Sequence, residues 1–228
     1  MSKRSWAVSM VLAAGLAATV EAAPAGFKAA GESAHFTFYT MGEAKVNAKA
    51  NEQRLERIAH LLGLSSVPRA ELYGYERAED VAAVTGQYAG GVTYPALRQV
   101  HSTEGSLDHE MVHLVAAQLG SPGTFFQEGL AVALGDKGRL GGRKADDMAR
   151  PLARRVLLRA LLAGFAPQNH LEHYAVAGSF VAWLIQQHGI ERLTAFFQTS
   201  SAATRDDAFR TAFGQTLDDA GVAWTAQL

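Results

Sequence analysis

The chain has 228 residues, 48% hydrophobic and 19% charged, with a formal net charge of −1. These values exclude a disordered or collagen-like chain, and the near-neutral balance gives no electrostatic reason to expect nucleic acid, which calls for a basic surface. With no cysteine, disulfides, a thiol nucleophile and a Cys-ligated metal are all excluded, so any metal must be held by His, Asp or Glu.

The first segment stands apart. Lys3 and Arg4 precede an apolar run from Trp6 to Val20, shorter than the ~20 residues a bilayer-spanning helix needs. Val20-Glu21-Ala22 and Ala23-Pro24-Ala25 offer small-residue cleavage signals. This is the layout of a secretory signal peptide over residues 1–25. It leads us to expect an exported protein, periplasmic or secreted, with a working domain over 26–228 and no stable membrane insertion once the signal is removed. An uncleaved N-terminal anchor is the other reading.

The alternating, aromatic-rich stretch His35–Thr40 predicts a strand. Between Gly42 and Leu62, the residues Leu55, Ile58 and Leu62 fall at helical spacing, with Gly63 as the stop. Ala70–Gly74 predicts a second strand and Asp80–Thr85 a short helix. Gly90–Pro95 reads equally as a turn or as an edge strand that pairs with an extended peptide. Leu97–Ser102 predicts a third strand. From Ser106 onward the pattern is helical: 106–119, then 125–134, then a charged, glycine-rich surface loop at 136–144. A helix follows over 147–162 with Pro151 near its first turn. Asn169-His-Leu-Glu172 has the form of a capping box opening a helix to His188. Thr204 and Thr216 open two final short helices. A β-containing first third followed by helices is an α+β pattern: a small N-terminal mixed sheet, then an all-helical C-terminal half.

The chemistry concentrates in Leu107–Gly120, LDHEMVHLVAAQLG. Residues four apart lie on one face of a helix, so His109 and His113 can point at a single ion. Glu110 is turned away by roughly 100°, too far round to be a third ligand. It is well placed to act on a water on the ion's open side. Leu107, Met111, Leu114 and Val115 form an apolar stripe that buries the helix on another face. A catalytic zinc commonly keeps three protein ligands and one water. Glu128, across a glycine-proline turn, is the candidate third ligand, with Gly129 and Ala131 allowing its helix to approach the first closely.

His109-Glu-Met-Val-His113 followed by Phe125-Phe-Gln-Glu128-Gly-Leu-Ala131 resembles the gluzincin zinc metallopeptidases, specifically the small peptidase MA-like domains. That family carries HExxH and then a WxxEGLA segment whose glutamate binds zinc. Tyr174–Leu184, Gly189, Ala208–Gly214 and Trp224 resemble its tail, and His35-Phe its opening strand, so the likeness spans nearly all of the mature chain. The resemblance implies a zincin-like fold and one Zn²⁺ held by His109, His113 and Glu128. It implies Glu110 as general base, a peptide or protein substrate, and Tyr174 as hydrogen-bond donor to the oxyanion. Phe125 stands in place of the usual Trp. Val132 stands where some gluzincins carry an Asp that orients a zinc histidine, and Asp136 lies two turns on, a long reach along a regular helix. The orienting partner is therefore unassigned, and a catalytically inactive zincin-fold binding domain of the cell envelope is the alternative. A structural protein with an accidental HEMVH is a third reading. Among the other histidines, His101 reads as a strand-end residue or a lining of the cleft, and His170 and His173 as exposed imidazoles of the capping segment. Arg150, Arg154, Arg155 and Arg159 read as a solvated face.

Overall fold

A computed structural model describes residues 23–165 and 171–228. The expected signal segment up to residue 22 lies outside the described residues, as do Asn169 and His170. The strands are β1 (Lys28–Glu32), β2 (Phe36–Thr40), β3 (Ala70–Tyr75), β4 (Gly91–Tyr94) and β5 (Gln99–Thr103). They form one sheet in the order β1-β2-β3-β5-β4. The central three run parallel and the two outer strands antiparallel to their neighbours, so the sheet is mixed, as expected.

Side chains alternate across a strand, and here the alternation sorts two apolar layers. Phe36, Phe38, Leu72 and Val100 enter the main core with Leu55 and Ile58 of α1 (Ala48–Leu61). On the opposite face Tyr39, Tyr73 and Tyr75 pack with Val81 of α2 (Ala78–Thr85). His101 belongs to this second layer. It is mid-strand and 7% exposed, stacked on Tyr73 at 4.4 Å, so it neither ends a strand nor lines the cleft.

The remaining helices are α3 (Leu107–Ala116), α4 (Thr124–Leu130), α5 (Ala145–Ala153), α6 (Leu158–Ala163), α7 (Leu171–His188), α8 (Ile190–Thr199), α9 (Arg205–Phe213) and α10 (Leu217–Gln227). Helix α7 is the axle of this half. It is buried from Ala175 to Val181 and packs on both α4 and α5. Among the described residues no helix is long and apolar enough to cross a membrane.

Several expectations need correction. Strand β1 went unread because all five of its residues are exposed, which leaves no alternation to detect. The third strand starts two residues late, because Pro95–Leu97 winds as a short 3₁₀ turn ended by Arg98 at φ 54°. The helix expected over 147–162 is two helices. Pro151 lies late in α5, where it cannot donate to the preceding turn, and the helix stops two residues on. The glycine-rich loop is a hairpin, β6 (Arg139–Leu140) against β7 (Arg143–Lys144), and it interrupts the helical half. Its two-residue turn, Gly141-Gly142, has φ of 54° and 79°, the doubly left-handed geometry that matches the twist of paired strands. Thr216 caps α10 through Asp219 N, but Thr204 makes no capping bond to α9. Arg159 is not merely solvated. It pairs with Asp206 and Asp218 at 2.8 Å each and so ties α6 to α9 and α10.

Candidate active site

Helix α3 buries Leu107, Met111, Leu114 and Val115 in the core, which turns His109 and His113 together toward α4. Glu128 of α4 meets them. Its Oε2 lies 3.2 Å from His109 Nε2 and 3.3 Å from His113 Nε2. One donor atom from each of the three residues falls within 4.8 Å of the others. Neighbouring ligands of a tetrahedral zinc with bonds of ~2.0–2.1 Å stand roughly 3.3–3.4 Å apart. Both the spacing and the two-imidazole, one-carboxylate donor set therefore fit that ion.

The glycines do different work from that expected. A Cβ on Gly129 would stand 2.6 Å from Ala177 O, so Gly129 admits α7, not α3. Close approach to α3 falls on Gly135, where a Cβ would stand 2.7 Å from His109 Cα. Gly135 ends a π-helical segment, Ala131–Gly135, that continues α4.

That segment supplies the orienting partner missing from the sequence reading. His109 Nδ1 donates to Asp136 Oδ2 at 2.7 Å, leaving Nε2 for the ion side; a carboxylate behind a ligating imidazole fixes its tautomer and ring orientation. In a regular helix Asp136 would sit roughly 80° round the axis from Glu128. Five residues wound i→i+5 turn the chain by less, roughly 80° each instead of 100°, which brings Asp136 back to about the azimuth of Glu128. The Asp136 N–H indeed bonds Ala131 O at 3.1 Å, five residues back. Val132, the position where an Asp was sought, is fully buried and would meet a Cβ on Gly178 of α7.

Glu110 is 6% exposed. Thr93 of β4 donates to its Oε2 at 2.8 Å. Thr93 was not foreseen. The clue lay two residues earlier, since Gly91 leaves room for Glu110: a Cβ there would stand 2.4 Å from Glu110 Cγ. The stretch read as turn or strand is thus an edge strand. Among the described residues nothing pairs with its outer edge.

Tyr174, in the first turn of α7, lines the same cleft of about 1290 Å³ as His109, His113, Glu110 and Glu128. Its ring packs on Phe165 at 5.5 Å. Phe125 takes part in the same aromatic packing, edge-on to Phe165 at 5.5 Å. His173 is half-buried, with Nδ1 enclosed, so it is not an exposed imidazole.

Charges follow these contacts. Burial alone would lower the His109 pKa, but its bonds to Asp136 and Glu128 outweigh this and raise it to about 10. Burial alone would raise Glu128, but bonds from both imidazoles hold it down at about 2. Glu110 is pushed up from the ordinary carboxylate value by burial, against the pull of His113, His109 and Thr93. Burial, with the nearby charges of Glu128 and Glu110, raises Tyr174 to about 12.

A family model described as the Peptidase MA superfamily matches residues 50–228. The chain belongs to the Peptidase MA superfamily. No curated protein matches it. Members of the Peptidase MA superfamily are typically metal-dependent, and among the described residues His109, His113 and Glu128 form a group suited to that dependence.

Proposed function

We propose that this Peptidase MA chain is an exported zinc-dependent peptidase that hydrolyses peptide bonds with Glu110 as general base. The observation that carries the reading is the Glu128 carboxylate lying 3.2 and 3.3 Å from two imidazole nitrogens. One Zn²⁺ would be held by His109, His113 and Glu128. When bound, such an ion supplies Lewis acidity and lowers the pKa of water toward ~7.

The chain's own groups do the rest. Asp136 fixes His109 with Nε2 forward. Thr93 occupies Glu110 Oε2, which leaves Oε1 to take the proton of the attacking water and return it to the departing amine. A carboxylate raised by burial holds that proton better than an ordinary one. Tyr174 stays protonated and donates to the oxyanion, a role worth on the order of 10²–10³ in rate. The outer edge of β4 aligns an extended peptide by strand addition. Export rests on Lys3, Arg4 and the apolar run Trp6–Val20. The inactive-domain alternative drew on a missing orienting acid and on the small cleft-building lobe; Asp136 bonded to His109 answers the first ground only.

The test is Glu110→Gln in parallel with the parent chain. The variant should retain near one zinc per chain by elemental analysis and lose hydrolysis of a peptide library. Equal turnover by both proteins would remove Glu110 from the mechanism. Stoichiometric zinc without cleavage by the parent would favour the binding-domain reading.

A further inference from the structure

The hairpin that follows Asp136 carries Lys137, Arg139, Arg143 and Lys144. It has no carboxylate of its own, and Asp136, just before it, is committed to His109. Among the described residues none of these four cations forms an ion pair, although such pairs are common elsewhere on the surface.

Of the four, only Arg139 lines the cleft, beside Leu140 and Gly141. It is also the cleft's only Lys or Arg among the described residues. Its position is anchored to the metal centre. The Arg139 N–H bonds Asp136 O at 3.1 Å, and the hairpin's base is closed by Ala145 N–H on Gly138 O at 2.8 Å. The guanidinium itself donates to Gly142 O within the hairpin, which leaves most of its five donors to solvent. The cleft's acids are all engaged: Glu110 with Thr93, Glu128 with the two imidazoles, Asp136 with His109. The wall therefore presents one uncompensated cation with a planar fork that matches a carboxylate. The cleft also carries two large exposed side chains, Tyr88 at 75% and Leu171 at 49% exposure.

We propose that Arg139 is a specificity-determining residue that receives a carboxylate of the peptide substrate. The carboxylate comes from the C-terminal α-carboxyl group or from an Asp or Glu side chain. The inference rests on the peptidase reading for its substrate class, but the recognition step can be read without catalysis.

The experiment uses the zinc-loaded chain and fluorescent decapeptides in four matched forms: free acid or carboxamide at the C-terminus, each with internal Glu or Gln. For every protein the readout is the ratio of kcat/KM between a carboxylate form and its amide counterpart, together with the same ratio of Kd by fluorescence anisotropy. The parent is expected to favour one carboxylate form by about tenfold or more, as a charge-assisted hydrogen-bond pair supplies. Which form is favoured identifies the source. Arg139→Gln should collapse both ratios toward one, and Arg139→Glu should invert them. Arg143→Gln removes the same charge from the same hairpin away from the cleft and should keep the parent ratio. Parent ratios of one, or equal collapse in Arg143→Gln and Arg139→Gln, would overturn the proposal. If the parent cleaves none of the four peptides, the anisotropy ratio alone decides this proposal, and the library digest decides the peptidase reading.

Discussion

Two largely buried histidines, eight residues apart, sit in opposite electrostatic settings. His101 is packed among tyrosines, with its Nδ1 hydrogen-bonded to the Tyr75 hydroxyl at 2.6 Å. Burial lowers its pKa, against a weak pull from Glu71. His109 is nearly as enclosed, yet its pKa is raised to about 10, because Asp136 and Glu128 outweigh the burial. Enclosure favours the neutral ring in both places; what differs is whether a carboxylate is within bonding distance. One region is an aromatic wall that keeps a histidine neutral. The other is a charged nest in which two carboxylates hold a proton on the ring.

That contrast has consequences on the pH axis. In the metal-free protein, His109 must give up its proton before its nitrogen can bind a cation. Zinc affinity measured against a competing chelator should therefore rise about tenfold per pH unit from this group alone, about a hundredfold between pH 6 and 8. A flat profile would break the contrast. Stability of the metal-free fold should respond with opposite signs at the two sites. The raised His109 contributes stability that is fully present below its unfolded value, 6.5, and lost as pH rises through about 10. The lowered His101 contributes stability above 6.5 that is lost as pH falls through its folded value, because the unfolded chain takes up a proton that the folded ring refuses. Chemical denaturation of the apoprotein across pH would show both limbs.

Removing the orienting acid comes next in size. Asp136→Asn should weaken zinc binding by about 10–100-fold and flatten the pH slope, since one of the two carboxylates that hold the proton on His109 is gone. Unchanged affinity would make Asp136 a bystander. Gly135→Ala should act on the same contact from behind. The added methyl meets the His109 backbone at 2.7 Å, at a cost of about 1–3 kcal/mol, and loosens metal binding along with the fold. His101→Phe keeps a ring in the aromatic wall but strands the Tyr75 hydroxyl. It should cost about 1–3 kcal/mol of stability and leave zinc content at the parent value; metal loss would erase the distinction between the two regions. The smallest effect belongs to Thr93. Thr93→Val should lower kcat about fivefold, from loss of ~1 kcal/mol of hydrogen bonding, with metal content intact and recovery in Thr93→Ser.

What could be read in the chain beforehand depended on how local its cause was. His109 and His113 are legible because a four-residue step on a helix is a fixed geometry, and Glu128 because a short turn folds its helix back on the first. The order β2, α1, β3, α2, β5 follows from alternation and spacing, as does most of the helical remainder, whereas the fully exposed β1 left no such trace. Helix α8 was overlooked although Leu193, Phe196 and Phe197 carry the three-and-four spacing of a buried face. Asp136 was seen and set aside because a regular helix was assumed. No local pattern announces that Ala131–Gly135 winds wide, a choice made by α7 on one side and the His109 backbone on the other. Thr93 lay beyond reach for a similar reason, since its bond to Glu110 depends on an edge strand settling over α3 at Gly91. Contacts made by packing two distant elements leave only small residues as their trace.

The wide turn between Glu128 and Asp136 bears on how related chains are sorted. A filter that demands an acid four residues after Glu128 would reject this chain as lacking one, since it finds Val132. Asking instead which carboxylate reaches the far nitrogen of the first histidine retains it. Deleting a single residue within 131–135 would swing Asp136 by roughly 80–100° about the helix axis, so length in this stretch is constrained even where composition is free to drift.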